Sequence, residues 1–188
     1  MNVFLISVLV FGGVLVFWSV RVYNALVELK NQVSRSWANI DVILKQRFDE
    51  IPQIVQILEQ YVQYERGTID RLVEARKHYA SAHGVDQKIH ASQEMSQALR
   101  GVFAIGEAYP ELRSNENFMQ LQTRISELEN ALADRREHFN ETVTNFNTRI
   151  AKIPDVFFAG ALGYGALSLF EVAAAEKVTP SLKLNLPK

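Results

Sequence analysis

The 188-residue sequence predicts an all-α protein, with an N-terminal transmembrane helix followed by an antiparallel up-and-down helical bundle. Three observations predict it. The run from Val3 to Val20, VFLISVLVFGGVLVFWSV, carries no charge. Between Arg21 and Ile153 the chain is rich in Gln, Glu, Arg, Leu, Val and Ile, with few helix breakers. Apolar residues there recur at spacings of three, four and seven, and no alternating strand of useful length occurs.

At about 1.5 Å per residue, the uncharged run covers roughly 27 Å, close to the hydrocarbon thickness of a bilayer. Backbone in lipid must pair its own polar groups, so the run is expected to be helical. Trp18 and Tyr23 stand near its end, where amphipathic aromatics settle at headgroup level. A cleaved signal peptide fits less well, because no basic region precedes the run and no A-x-A-like site follows it. Arg21, Lys30, Arg35, Lys45 and Arg47 follow the run. Basic residues stay cytoplasmic, which predicts an N-terminus outside and a body inside.

After the span roughly 165 residues remain, enough for one domain with a core. The net charge of −1 gives no reason to expect nucleic acid as a partner. The absence of Cys excludes disulfides, thiolate metal sites and Cys nucleophiles.

The bundle elements follow from periodicity and breaks. Val33, Trp37, Ile40, Leu44, Ile51, Leu58 and Val62 form one stripe. Phe118, Ile125, Leu132, Phe139, Phe146 and Ile153 recur every seven residues, and Leu121 and Leu128 add a second seam. Such stripes mark core-facing helix edges. Pro52 suits a helix start, because proline lacks the N–H that an interior position needs. Gly84, after Ser81-Ala82-His83, suits a left-handed cap. Tyr109-Pro110 ends a segment, and Ser114 to Asn117 offers N-caps for the next. The expected helices are 24–50, 52–82, 86–109 and 115–153. A kink at Pro52 instead of a hairpin would leave three long ones. The domain expectation is an anchor at 1–23, a bundle at 24–154, and an apolar Gly-rich segment with the C-terminal tail at 155–188.

Two polar stripes stand out. Asn24, Asn31, Asp41 and Lys45 share one edge of the first bundle helix, and Glu129, Arg136, Asn140 and Asn147 share one edge of the last. Facing each other, or facing a neighbouring subunit, they would fix register; the competing reading is a solvated helix face. A second candidate surface is apolar. Gly12 and Gly13 would let another membrane helix approach closely. Phe157, Phe158 and Phe170 belong to an uncharged run from Val156 to Phe170. That run suits the bilayer surface, a subunit contact, or a loop packed on the bundle end.

Catalytic constellations are missing from the sequence. His78, His83, His90 and His138 form no Glu-x-x-His pair. Glu74/His78, Asp86/His90 and Asp134/His138 are isolated helix-spaced pairs of the surface type. Gly101 and Gly106 lack the Lys-Ser/Thr of a phosphate loop. No catalytic residue, cofactor site or metal site is assigned. Arg47 and Arg149 each stand four residues before an Ile-Pro pair, which suggests matching hinges or coincidence.

Ordered blocks carry a resemblance. Tyr23-Asn24, Leu26-Val27, Asn31, Trp37, Ile40-Asp41-Val42, Leu44-Lys45, Arg47, Ile51-Pro52, Tyr61 and Glu65 lead the body. Glu107, Tyr109-Pro110, Leu112, Asn117-Phe118, Leu121-Gln122, Glu129-Asn130, Arg136, Phe139-Asn140, Val143, Phe146-Asn147 and Ile153-Pro154 follow. Behind a membrane helix, this set closely resembles the LemA family of bacterial membrane proteins, from the span to about Glu171. Phe139 and Phe146 stand where that family usually has Tyr, and Ile153 where it usually has Phe. The resemblance implies a single-pass inner-membrane protein with a cytoplasmic helical domain and no known enzymatic activity. The expected function is a non-enzymatic scaffold or adaptor that self-assembles at the membrane, with lipid and further copies of itself as partners. The alternative is an accessory or regulatory subunit of a membrane protease, transporter or signalling system.

Overall fold

A computed structural model describes residues 2–61 and 65–171. Among these residues the protein has helices, turns and an irregular stretch at 164–171, and no strand. The helices are α1 (Asn2–Tyr61), α2 (Arg66–Ser81), α3 (Gly84–Ala108), α4 (Pro110–Arg113), α5 (Glu116–Ala151) and α6 (Asp155–Ala161). Two compact units share the longest of them. Unit 1 comprises Met1–Asp49 and Thr123–Leu169, and unit 2 comprises Glu50–Gln122 and Phe170–Lys188.

α1 joins the apolar run to the first bundle helix without a break. Its most apolar 18-residue window has a mean hydropathy of 2.6, and none of that window is buried. Core positions begin directly behind it, at Val22 and Leu26. Val33, Ile40, Ile43 and Leu44 continue the buried edge within unit 1. The buried residues of α5 in this unit are Ile125, Leu128, Leu132, Phe139, Val143, Phe146 and Ile150, among them the repeat positions 125, 132, 139 and 146. The pairing is antiparallel. Lys30 Nζ lies 5.4 Å from the Phe146 ring centroid, Ser36 Oγ is 2.9 Å from Thr142 Oγ1, and Arg47 pairs with Glu129. Trp37 meets Phe139 edge-on at 5.6 Å. The repeat fails at its last position: α5 stops at Ala151, Ile150 is buried instead, and Ile153 is 81% exposed.

In unit 2, α2 and α3 form an antiparallel pair joined through Gly84, whose φ of +79° is the left-handed conformation expected there. It opens α3 rather than closing α2, and the His83 N–H donates to Gln87 Oε1 at this turn. Asn115 caps α5 as expected, with Oδ1 accepting the Phe118 N–H at 3.0 Å. Gly106 of α3 is required by packing. A Cβ there would stand 2.6 Å from Phe118 Cε1.

Pro52 corrects the expected helix boundaries. It lies inside α1, which runs on to Tyr61, and the break falls before Arg66. An interior proline costs about 3 kcal/mol. Ile51, Ile54 and Leu58 flank it and are almost completely buried in unit 2. At about 1.5–3 kcal/mol for each buried side chain, that packing outweighs the proline. Val62 lies outside the described residues, as does the tail from 172 onwards.

Candidate functional site

Three features of unit 1 concentrate polar or exposed apolar groups at helix contacts. The first is the Arg47–Glu129 pair. Arg47 sits on the buried edge of α1 between Leu44 and Ile51, and its side chain has no exposure. Glu129 reaches it from α5 and stays about one third exposed, at 35%. Glu129→Leu is expected to cost about 1–3 kcal/mol, because a buried guanidinium loses its carboxylate. The double change Arg47→Met with Glu129→Leu should recover most of that loss, since well-packed apolar groups replace such pairs at little cost. Thermal unfolding of the detergent-solubilised chain checks this. A double-variant loss equal to the sum of the Arg47→Met and Glu129→Leu losses would show that the two groups are not coupled.

The second feature is a clamp. Asn147 of α5 accepts the Leu167 N–H at 2.8 Å and donates to the Leu167 carbonyl at 2.9 Å. The same segment lays Tyr164 against Phe146, with ring centroids 5.7 Å apart. One side chain thus satisfies both backbone groups of an irregular residue, which would otherwise need water.

The third is the α5–α6 corner. Arg149 pairs with Asp155, which is buried at the start of α6. Phe158, on the same side of α6, meets Trp18 of α1 edge-on at 6.0 Å. The opposite side of α6 exposes Val156 and Phe157. Arg47 and Arg149 are therefore not matching hinges: the first lies within a continuous helix, the second at a true corner.

The remaining sequence candidates fall as follows. Asn24, Asn31 and Lys45 are exposed, and Lys45 pairs with Asp49 on the surface. Asp41, Arg136 and Asn140 are half-buried. Gly12 and Gly13 are open, with nothing within 4 Å of a Cβ at either. Phe170 is a correction. It is 2% exposed in unit 2, so it is core and no part of an outer apolar surface. Sequence reasoning missed the pairing role of Arg47. The signal was there: an Arg three residues past Leu44 and four before Ile51 occupies a seam position.

Unit 2 holds an open cleft of about 340 Å³ between α2 and α3, lined among others by Thr68, Arg71, His78, Glu94 and Gly101. His78 Nδ1 lies 2.8 Å from Glu94 Oε2, and Nε2 lies 3.7 Å from Glu74 Oε1. The hydrogen bond to Glu94 raises the His78 pKa; desolvation opposes it, the charges of Glu94 and Glu74 add to it, and Lys77 opposes. A raised folded-state value means that the contribution is fully present below the ordinary value of about 6.5. It fades as pH rises through the raised value. NMR titration of His78 should give a midpoint above the ordinary value, and Glu94→Gln should move it back. A midpoint at or below the ordinary value would contradict the geometry. Among the described residues no group of three or more His, Cys, Asp or Glu is placed to hold a metal ion.

Magnetosome protein MamQ of Magnetospirillum gryphiswaldense is 21% identical over 174 residues, covering 79% of this chain and 64% of the relative. Magnetosome protein MamQ 2 of Paramagnetospirillum magneticum is 30% identical over 88 residues, covering 45% of this chain and 32% of the relative. The chain thus spans less than two thirds of either magnetosome protein. Protein LemA of Metamycoplasma hominis is 22% identical over 168 residues, covering 88% of this chain and 76% of the relative. A family model described as the LemA family matches residues 36–184, the greater part of the sequence, and the chain belongs to that family.

Proposed function

We propose that the protein is a non-enzymatic scaffold, anchored by one span in the bacterial inner membrane with its body in the cytoplasm, which assembles with copies of itself. One observation carries the reading. The exposed apolar segment of α1 and the buried edge that begins at Val22 are turns of one uninterrupted helix. No linker separates anchor from body, so the anchor fixes the body's angle to the bilayer. A protein that arranges copies of itself needs that rigidity, whereas a tethered enzyme does not. Gly12 and Gly13 leave open backbone where a second span can pack closely. The basic residues behind the span, from Arg21 onwards, favour the cytoplasmic side for the body.

A periplasm-only reporter fused after Lys188 tests the orientation, and should be inactive where a cytoplasm-only reporter is active. The reverse pattern would overturn it. Because the chain has no Cys, Gly12→Cys and Gly13→Cys introduce single thiols for cross-linking in native membranes. Cross-linked dimers at either position are expected. Their absence at every position scanned from Val8 to Val16 would remove the span from the contact.

A further inference from the structure

We propose that α6 and the turn before it form a second membrane contact, with Ile153, Val156 and Phe157 seated in the bilayer interface beside the span; this rests on the anchored reading above. The inner side of α6 fixes its depth. Phe158 packs on Trp18, two residues before the end of the uncharged run. At about 1.5 Å per residue, that contact lies roughly 3 Å inside the end of the span, at the boundary between acyl chains and headgroups. The outer side of α6 is held at that level by the pairing of Arg149 with the buried Asp155 and by the Phe158–Trp18 contact.

Composition then names the occupant. From Ile153 to Leu169 no exposed position carries a charge, and Ser168 is the only polar one. In a chain with 22% charged residues, a solvated edge of that length would carry several. Ile153 and Phe157 are 81% and 71% exposed, and Val156 is 38% exposed. Arg21 and Lys152, both exposed, border the patch and suit side chains that reach from an apolar surface to the headgroups. Lipid fits better than a second copy, because the patch continues the exposed apolar surface of the span itself at Phe17 and Trp18. An apolar helix face placed at the interface adds affinity in proportion to the area it removes from water.

The Cys-free chain permits a direct test. Full-length Phe157→Cys, labelled with nitrobenzoxadiazole, is reconstituted into vesicles of phosphatidylcholine and phosphatidylglycerol. Glu137→Cys, on the exposed side of α5, serves as the aqueous control. The label at 157 should emit at shorter wavelength than at 137. Lipids carrying a nitroxide near the headgroup should quench it several-fold more strongly than they quench the control, and iodide should quench it less. Iodide quenching equal to the control would overturn the proposal. So would a label shielded from both quenchers, which would mean that protein covers the site. Flotation of the same vesicles reads the anchor separately. A chain that floats with an aqueous label at 157 refutes only this contact, and one that does not float refutes the anchored reading and the contact together.

Discussion

Phe146→Ala is expected to lower the stability of the full chain in detergent by about 3–5 kcal/mol, the range for truncating a fully buried aromatic side chain. Phe146 holds three elements together. It occupies the α5 seam with no exposure, takes Lys30 of α1 over its ring, and packs at a tilt against Tyr164 of the segment clamped by Asn147. Truncation leaves a cavity at a junction that cannot close from one side alone. Thermal unfolding followed by circular dichroism gives the value. A loss under about 1 kcal/mol would mean that the 162–169 segment does not pack on α5.

A still larger effect is expected from Leu132→Pro. Leu132 is 5% exposed in the middle of α5, far from either end. Leu132→Ala alone should cost about 2–5 kcal/mol for the lost burial. Proline adds about 3 kcal/mol or more, because it removes the N–H bonded one turn back and collides with that carbonyl. The pair of variants separates the terms: Leu132→Pro should unfold at clearly lower temperature than Leu132→Ala. Equal melting temperatures would show that α5 is already broken there.

Leu132 also shows why so much of the fold was legible. The seven-residue repeat on α5 is a local pattern that survives folding, and Phe118, Ile125, Leu132, Phe139 and Phe146 are all buried. The Asn115 cap and the left-handed Gly84 are equally local, set by side-chain reach and backbone sterics. Pro52 was misplaced for the opposite reason. Its cost is local, but the packing of Ile51, Ile54 and Leu58 that offsets it depends on distant residues. Ile153 kept the repeat's spacing after the helix carrying it had ended at Ala151, so its side chain left the seam.

The candidate site was less legible than the fold. Asn147 was visible as a polar residue on α5, but its partner is the backbone of Leu167, and backbone groups leave no mark in a sequence. Arg47 stands on the seam inside the step from Leu44 to Ile51, a position that a seven-residue stride passes over. The exposed patch at Ile153 and Phe157 follows from the Arg149–Asp155 corner, a contact that no spacing rule announces.

In the proposed function the anchor and the body together hold copies of the chain in one assembly. Mass measurement of the full-length protein, purified in a series of mild detergents, tests it most directly. A single discrete particle whose protein mass is a fixed multiple of the 21.4 kDa chain is the expected result. A strictly monomeric chain in every detergent, at concentrations matching those in the membrane, would contradict it.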